Sequence, residues 1–393
     1  MRKLSTIAVI ALALNLRPVM AGVGPLLDQI EAATGLNHTQ ASLLTTIPVA
    51  MIGLCMLFGR RLRARFGERG GTTLGIALIA FACLVRFVWP SKWGLIATAA
   101  LGGAGIAFLQ ALLPGFIKRV YGARAGGMLG LYTTGIMGGA AVAAAAASSS
   151  ADRFGLPGAL GAWGIPALLA LAVWVSATRR ADGRADAYAG KAQPAAAFAN
   201  NGRAWELLVF FGIGTGAYTL VLAWLPAYYT SLGWSAADAG YLLGGLTLTE
   251  VGAGLIVSAF AARFPDRRGP LLVVLALLLA GLGCLIGAPL ATAWLITILL
   301  GLGIGALFPL SLILTVDHLD DPRAAGDLAA FVQGGGYLIA SLMPLGAGLL
   351  RDRLTDLTQA WVLMAVGCVV LGLMALRFRP ASYAAVSGRA TAG

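Results

Sequence analysis

Charged residues are scarce in this chain of 393 residues. They make up 11% of it, whereas 59% is hydrophobic, and an ordinary soluble domain carries about 25% charged residues. A soluble protein of this length needs a larger polar surface than 16 acidic and 28 basic residues supply. The composition therefore excludes an ordinary soluble domain and predicts a protein whose surface contacts the lipid bilayer.

Cysteine and histidine are also sparse, with four and two residues. Cys55, Cys83, Cys284 and Cys368 each lie inside an apolar run, and their spacing fits neither a disulfide framework nor a metal site. Two glycine-rich fragments, Gly103-Ala104-Gly105 and Gly301-Leu302-Gly303, resemble parts of a nucleotide-binding loop. Such a loop follows a strand and precedes Lys-Ser or Lys-Thr, and neither fragment does so. We therefore predict no metal, no cofactor and no catalytic residues, and we expect that the chain is not an enzyme.

The basic residues outnumber the acidic ones, giving a formal net charge of +12. They lie in short clusters between long apolar runs and not along one polar face. Such clusters are typical of the loops of membrane proteins. The charge therefore argues against a nucleic-acid partner.

Long apolar runs are abundant. A helix needs about 20 apolar residues to span a bilayer, and every backbone polar group in lipid needs an internal partner. The runs that meet this requirement are 5–27, 42–59, 72–89, 93–115, 126–148, 158–177, 204–229, 238–261, 269–288, 291–316, 325–350 and 358–377. We predict an all-α membrane protein of twelve transmembrane helices.

The distribution of Lys and Arg predicts the orientation of these helices. With a cytoplasmic N-terminus, the outer loops contain only Lys92, Arg153, Arg351 and Arg353, and most other basic residues fall in cytoplasmic segments. An excess of Lys and Arg marks cytoplasmic loops. We therefore expect a multi-pass protein of a bacterial inner membrane, with both termini in the cytoplasm, and we expect a monomer.

The chain contains an internal repeat. One shift along the sequence places Ala64-Arg65-Phe66 onto Ala262-Arg263-Phe264, and the same shift places Gly103-Ala104-Gly105 onto Gly301-Leu302-Gly303. Between the two copies lies a polar stretch with an Arg pair, Gly and Pro. We predict two pseudo-symmetric six-helix bundles at 1–177 and 204–380, a cytoplasmic linker at 178–203 and a cytoplasmic tail at 381–393.

This arrangement resembles the major facilitator superfamily. The signature loop of that superfamily is matched by Arg65-Phe66-Gly67, although Ala64 stands at the usual Asp position and Arg60 at the usual first Gly. Further segments are similar to its cyanate-porter family: Asn15-Leu16-Arg17-Pro18, Gly24–Leu27, Gln110–Arg119, Ala223–Ala227, Val316–His318 and Ala330–Tyr337. The resemblance implies a secondary transporter that works by alternating access, and members resembling cyanate permeases and nitroimidazole exporters share this pattern.

Arg17 is the leading candidate for contact with the substrate. In such a fold the substrate site lies near the bilayer midplane between the halves. A guanidinium at the middle of a span costs about 2.5–3.5 kcal/mol on insertion scales, so it usually faces an aqueous cavity. Its fixed charge and planar donors suit a small anion. The alternative is a structural tie to backbone carbonyls or to Glu250.

Glu250 lies in the middle of the eighth predicted span. Because burial penalises the charged form of a carboxyl group, Glu250 is a candidate for proton coupling. If it pairs with Arg17 in the empty protein, an arriving anion displaces it and promotes its protonation. The alternatives are a permanent ion pair with Arg17 and a neutral hydrogen-bonding group.

The remaining substrate-binding candidates are polar or aromatic residues of the spans. Tyr218 and Trp224 lie in the seventh span, Gln333 and Tyr337 share a face of the eleventh, and Gln110 lies in the fourth. For each of them helix packing is the alternative, and for Trp224 also an interfacial aromatic belt.

Two further features concern the ends of the spans. Asp317 and His318 follow the tenth span and are predicted to contribute to a cytoplasmic gate, with helix capping as the alternative. Arg86, near the outer end of the third span, is expected to extend its side chain to the interface.

These residues lead to one functional hypothesis with a competitor. We predict secondary active transport of a small monovalent anion such as cyanate. The predicted direction is inward, and a proton is the candidate coupling ion. The alternative is an exporter of nitroimidazole-like or other small drug-like compounds, which would not need Arg17.

Overall fold

The computed structural model describes residues 2–122, 125–178, 198–354 and 356–386, and its regular secondary structure in these ranges is helical throughout. Eleven helical segments are long and apolar enough to cross a membrane, and a shorter apolar helix of 15 residues lies between the fifth and sixth of them. Numbered in chain order as spans 1 to 12, they are Leu4–Thr34, His38–Gly59, Arg61–Val88, Lys92–Tyr121, Gly127–Gly161, Gly164–Thr178, Gly202–Ser231, Ala236–Phe260, Arg268–Gly287, Ala293–Val316, Ala324–Leu354 and Thr358–Arg377.

The predicted all-α membrane architecture is confirmed by these helices. Most of the predicted linker, at 179–197, and the end of the predicted tail, at 387–393, lie outside the described residues. The domain boundaries therefore stay predictions. We call the side of the molecule that carries Arg61, Arg63 and Arg65, at the start of span 3, the basic face, and the other side the opposite face.

Span 1 differs from the continuous helix that its apolar run predicted. Pro18 has no N–H, so the carbonyl of Leu14 loses its normal helical partner, and the chain leaves the helix at Asn15. The helical pieces of span 1 are Arg2–Leu14, Pro18–Ala21, the 3-10 turn Gly24–Leu26 and Leu27–Thr34. Arg17 therefore lies in an unwound segment between the helical pieces of span 1.

Two glycines with positive φ interrupt the long helices of the first half. Gly67 has φ +63° and Gly155 has φ +70°, a region that glycine enters without steric cost. Each completes an Arg-Phe-Gly tripeptide, at Arg65–Gly67 and at Arg153–Gly155. The tripeptide thus ends at a break in the helix near the start of span 3 and at another near the end of span 5.

The internal repeat predicted from the sequence reappears in the packing of the helices. A Cβ added to Gly103 of span 4 would lie 2.5 Å from the Cα of Pro48 in span 2. In the second half, a Cβ added to Gly301 of span 10 would lie 2.8 Å from the carbonyl oxygen of Leu246 in span 8. Equivalent glycines therefore permit the same close helix contact in each half.

An ion pair at the basic face is also repeated, with its charges exchanged. In the first half, Arg119 at the end of span 4 contacts Glu68 at 2.7 Å. In the second half, Asp317 at the end of span 10 contacts Arg267 at 2.7 Å. The shift that aligns the repeats carries Arg119 onto Asp317, so this position has opposite charges in the two halves, whereas Glu68 aligns with Asp266 and not with Arg267.

The two halves meet along spans 2 and 11 and along spans 5 and 8. At the opposite face, Asp352 of span 11 accepts hydrogen bonds from the backbone N–H groups of His38 (3.1 Å) and Thr39 (2.9 Å), which begin span 2. Thr230 of span 7 donates to the carboxylate of Asp28 in span 1. The halves are thus joined by polar contacts at the opposite face.

Candidate functional site

The unwound segment of span 1 places Arg17 inside the protein. Its side chain is buried, with 4% of the residue exposed. The guanidinium carbon lies 5.4 Å from the centre of the Tyr218 ring in span 7, within the range of a cation–π contact. Arg17 of the first half thus faces an aromatic side chain of the second half.

Four side chains from other spans interact electrostatically with the Arg17 guanidinium: Tyr132 of span 5, Tyr218 of span 7, Glu250 of span 8 and Tyr337 of span 11. All four are buried, and Tyr337 is close enough to Arg17 for a side-chain hydrogen bond. We call these five residues the central cluster. Because Arg17 and Tyr132 belong to the first half and the others to the second, the cluster lies between the halves.

Several polar atoms of the central cluster have unused hydrogen-bonding capacity. The Nε of Arg17, the hydroxyl oxygens of Tyr132 and Tyr218 and both carboxyl oxygens of Glu250 have no hydrogen-bond partner among the described residues. Buried polar groups in proteins are nearly always paired. A cluster of unpaired donors and acceptors around one cation is therefore suited to binding a small polar ligand.

Glu250 is held in place by close backbone packing. Gly305 of span 10 lies so near the Cα and carbonyl of Glu250 that a side chain at position 305 would overlap them. No ion pair joins Glu250 to Arg17 among the described residues, although each is an electrostatic neighbour of the other. The direct pairing considered from the sequence is not formed in this structure.

Span 11 brings Tyr337 into the cluster through its glycine run. Gly334 packs against Leu57 of span 2, and Gly336 packs against Phe211 of span 7. The Tyr337 ring meets Phe211 edge-on at 5.5 Å. The glycines thus allow span 11 to approach both halves closely, while Gln333 lies half-buried one turn away from Tyr337.

Among the described residues, no hydrogen bond or cation–π contact joins Arg17 to Gln110 or Trp224. The Gln110 side chain is half-buried in span 4, and its Oε1 is buried without a hydrogen-bond partner among the described residues. Trp224 is fully buried, donates its indole N–H to the Pro344 carbonyl at 2.9 Å, and lies under Arg351. An interfacial belt is therefore not the role of Trp224.

Asp317 and His318 form contacts within the second half. Asp317 pairs with Arg267, and the His318 ring packs 4.2 Å from the ring of Tyr383. His318 donates from Nδ1 to the Leu314 carbonyl at 2.7 Å, since a carbonyl only accepts. Burial lowers the pKa of His318 below its ordinary value, so the neutral ring is favoured at pH 7. Their role in a gate stays a prediction.

Two positions were not identified correctly from the sequence. Tyr132 was overlooked because it lies near the start of span 5, away from the midplane of its apolar run, and its long side chain reaches the cluster. Arg86 does not extend to the interface as expected, since only 2% of it is exposed and it donates to the Val19 carbonyl and the Thr98 hydroxyl.

The fold and the central cluster together define a polytopic membrane transporter with a buried polar site between two matching halves. A family model described as the Major Facilitator Superfamily matches residues 8–344. The chain belongs to this superfamily.

Known proteins resemble the chain over nearly its whole length. The cyanate transport protein CynX of Escherichia coli (strain K12) is 35% identical over 96% of this chain and 97% of its own. A 2-nitroimidazole transporter of the same organism is 30% identical over 93% of this chain and 92% of its own. These relatives confirm the resemblance to the cyanate-porter family.

A solved structure supports the fold independently. The crystal structure of a D-xylose–proton symporter matches with a TM-score of 0.76, covering 96% of this chain and 97% of the other, at 14% identity. At that identity the likeness shows the fold alone.

Proposed function

We propose that this transporter carries a small monovalent anion such as cyanate inward by alternating access, together with a proton. The observation that carries the proposal is the buried Arg17 guanidinium, which lies between the halves with its Nε unpaired among the described residues. The similarity to the cyanate transport protein over almost the entire chain supports cyanate as the first substrate to test.

The charge of the cluster favours a monovalent anion. Arg17 is the only cation among its five residues, and the three tyrosines present ring faces and hydroxyl donors. A buried charge is stable only when it is compensated. One guanidinium neutralises one negative charge. A dianion would therefore leave one negative charge uncompensated in the buried site.

Glu250 supplies a route to proton coupling. Its carboxyl group is buried and unpaired among the described residues, and Arg17 is its electrostatic neighbour. When the anion takes up the charge of Arg17, the ionised form of Glu250 loses that stabilisation. Protonation of Glu250 then accompanies binding of the anion. The charges of the loaded site are therefore balanced when access to it changes from one side of the membrane to the other.

Export of a nitroimidazole-like compound is the second candidate function. The three tyrosine rings around Arg17 offer surfaces for a flat heteroaromatic ring, and a 2-nitroimidazole transporter is among the relatives. In this function the ligand contacts the rings, and Arg17 has only a secondary role.

Counterflow of labelled cyanate in proteoliposomes tests the proposal. We expect uptake by the wild type, loss of uptake in Arg17→Ala and partial activity in Arg17→Lys, because lysine keeps the charge but not the planar donors. The control is Arg153→Ala, which removes an exposed arginine next to the break near the end of span 5. Absence of cyanate uptake with intact wild-type protein, or uptake unaffected by Arg17→Ala, would contradict the anion function. Competition by 2-nitroimidazole alone would support the exporter.

The orientation and assembly are part of the same proposal. We infer that the basic face is cytoplasmic, because most of the Lys and Arg residues lie there. Both termini are then cytoplasmic, and the protein acts as a monomer, since the central cluster is assembled from the two halves of one chain.

A further inference from the structure

Arg86 is a buried cation outside the central cluster. It lies in span 3 and is 2% exposed. Among the described residues no carboxylate forms an ion pair with it, and the titratable group that influences it is the uncharged thiol of Cys83. Burying a guanidinium without a counter-charge is costly. The contacts of Arg86 must therefore compensate a large desolvation penalty.

Those contacts join three spans. Arg86 donates from Nη1 to the Val19 carbonyl of span 1 at 3.0 Å and from Nε to the Thr98 hydroxyl of span 4 at 3.1 Å. The Thr98 hydroxyl in turn donates to the backbone of its own helix, at the Gly94 carbonyl. The guanidinium is thus fixed by two acceptors in a definite orientation.

The Val19 carbonyl needs this donor because span 1 is irregular. In a regular helix the N–H of Val23 would donate to Val19, but here it donates to the Met20 carbonyl at 3.0 Å. A carbonyl left without a partner in an apolar environment costs free energy. Arg86 replaces the missing donor, at a position two residues after Arg17.

The unwound segment is supported from another side by span 5. Gly139 packs directly against the carbonyl of Leu14, where any Cβ would overlap the oxygen. This is the carbonyl that has no helical donor, because Pro18 has no N–H. Gly139 and Arg86 thus hold the segment before and after Arg17.

We propose that Arg86 is a positioning residue for Arg17, fixing the unwound segment of span 1 so that the Arg17 guanidinium faces the tyrosines of the central cluster. Its role in transport rests on the function proposed above. Its role in fixing the segment does not, because that role follows from the hydrogen bonds alone.

Hydrogen–deuterium exchange and transport kinetics together test this inference. The variants are Arg86→Met, which keeps a long side chain without donors, and Arg86→Lys, which keeps a charge and one directed bond. The control is Leu282→Ala, which opens the buried packing of span 9 in the other half. In Arg86→Met we expect faster exchange confined to residues 14–23 and a KM for cyanate raised about tenfold, the change that loss of one hydrogen bond to a charged group produces.

The maximal rate should change little, and Arg86→Lys should restore part of the affinity. Leu282→Ala should lower the melting temperature without a selective effect on residues 14–23 or on the KM. Wild-type exchange at 14–23 in Arg86→Met would overturn the inference, as would faster exchange there with an unchanged KM. If the wild type does not transport cyanate, the proposed function fails, and the exchange data still decide whether Arg86 fixes the segment.

Discussion

At the scale of single residues, the central cluster combines one permanent cation with one group that can change its charge. Arg17 keeps its charge at any physiological pH, whereas a buried carboxyl group such as Glu250 can be protonated. Both are 4% exposed. The balance of charge in the site therefore depends on the ligand and on the protonation of Glu250.

The substitution Glu250→Gln separates binding from coupling. Glutamine has the shape of a protonated glutamate but cannot release a proton, so we expect retained counterflow of cyanate and loss of uphill uptake driven by a proton gradient. Proteoliposomes with an imposed pH gradient provide the measurement. Glu206→Gln is the control, because Glu206 pairs with Arg203 and Arg377 at the basic face. Uphill uptake with an unchanged pH dependence in Glu250→Gln would remove the coupling scheme.

At the scale of helices, glycines determine how closely the spans approach the site. Gly305 packs on the backbone of Glu250, and the atoms it meets there are the Cα and the carbonyl group. Backbone atoms cannot rotate away as a flexible side chain can. The close approach of spans 8 and 10 at Glu250 therefore depends on the absence of a side chain at position 305.

We expect Gly305→Ala to separate spans 8 and 10 and to destabilise the protein by about 1–3 kcal/mol, the usual cost of overpacking. Gly252→Ala is a matched control in span 8, since no atom lies within 4 Å of the Cβ it adds. Melting temperatures in detergent compare the two. Equal melting temperatures for both variants would show that the contact at Gly305 adapts freely.

The sequence predicted the helices better than it predicted their interruptions. Apolar runs of helical length depend on composition alone, so the spans were identified, but the third begins earlier than predicted and the fifth ends later. The break at Asn15–Arg17 and the turn at Gly155 depend on single Pro and Gly residues, whose effect changes with the surrounding packing. Neither interruption was therefore predicted from the apolar runs.

The central cluster was predicted in part for a similar reason. Arg17 and Glu250 could be found because a charge in an apolar run is rare. Tyr132 was missed because it lies near the start of its apolar run, and Trp224 was placed with the substrate candidates because the sequence does not show which way an aromatic side chain of a span points. Only the packing shows which rings face Arg17 and which, like Trp224, lie under Arg351.

At the scale of the whole molecule, the two halves are joined at the opposite face by a helix cap that crosses between them. Asp352 of span 11 accepts from the N–H groups of His38 and Thr39 and from the Thr39 hydroxyl. The N-terminus of a helix carries a partial positive charge that a carboxylate stabilises. The alternating access proposed above requires this contact to break whenever the opposite face opens.

Asp352→Asn should therefore shift the equilibrium towards opening at the opposite face. Loss of an N-terminal cap charge costs about 1–2 kcal/mol, which changes the ratio of two states by roughly fivefold to 30-fold. The measurement is double electron–electron resonance between nitroxide labels at Ser91 and Leu290, exposed positions of the two halves. In Asp352→Asn a larger fraction of molecules should show the longer distance between the labels. Asp356→Asn is the matched control, because the hydrogen bonds that Asp356 accepts from described residues come from Thr358 in its own half. An identical distance distribution in wild type and Asp352→Asn would mean that apolar packing of spans 2 and 11, and not the cap, keeps this face closed.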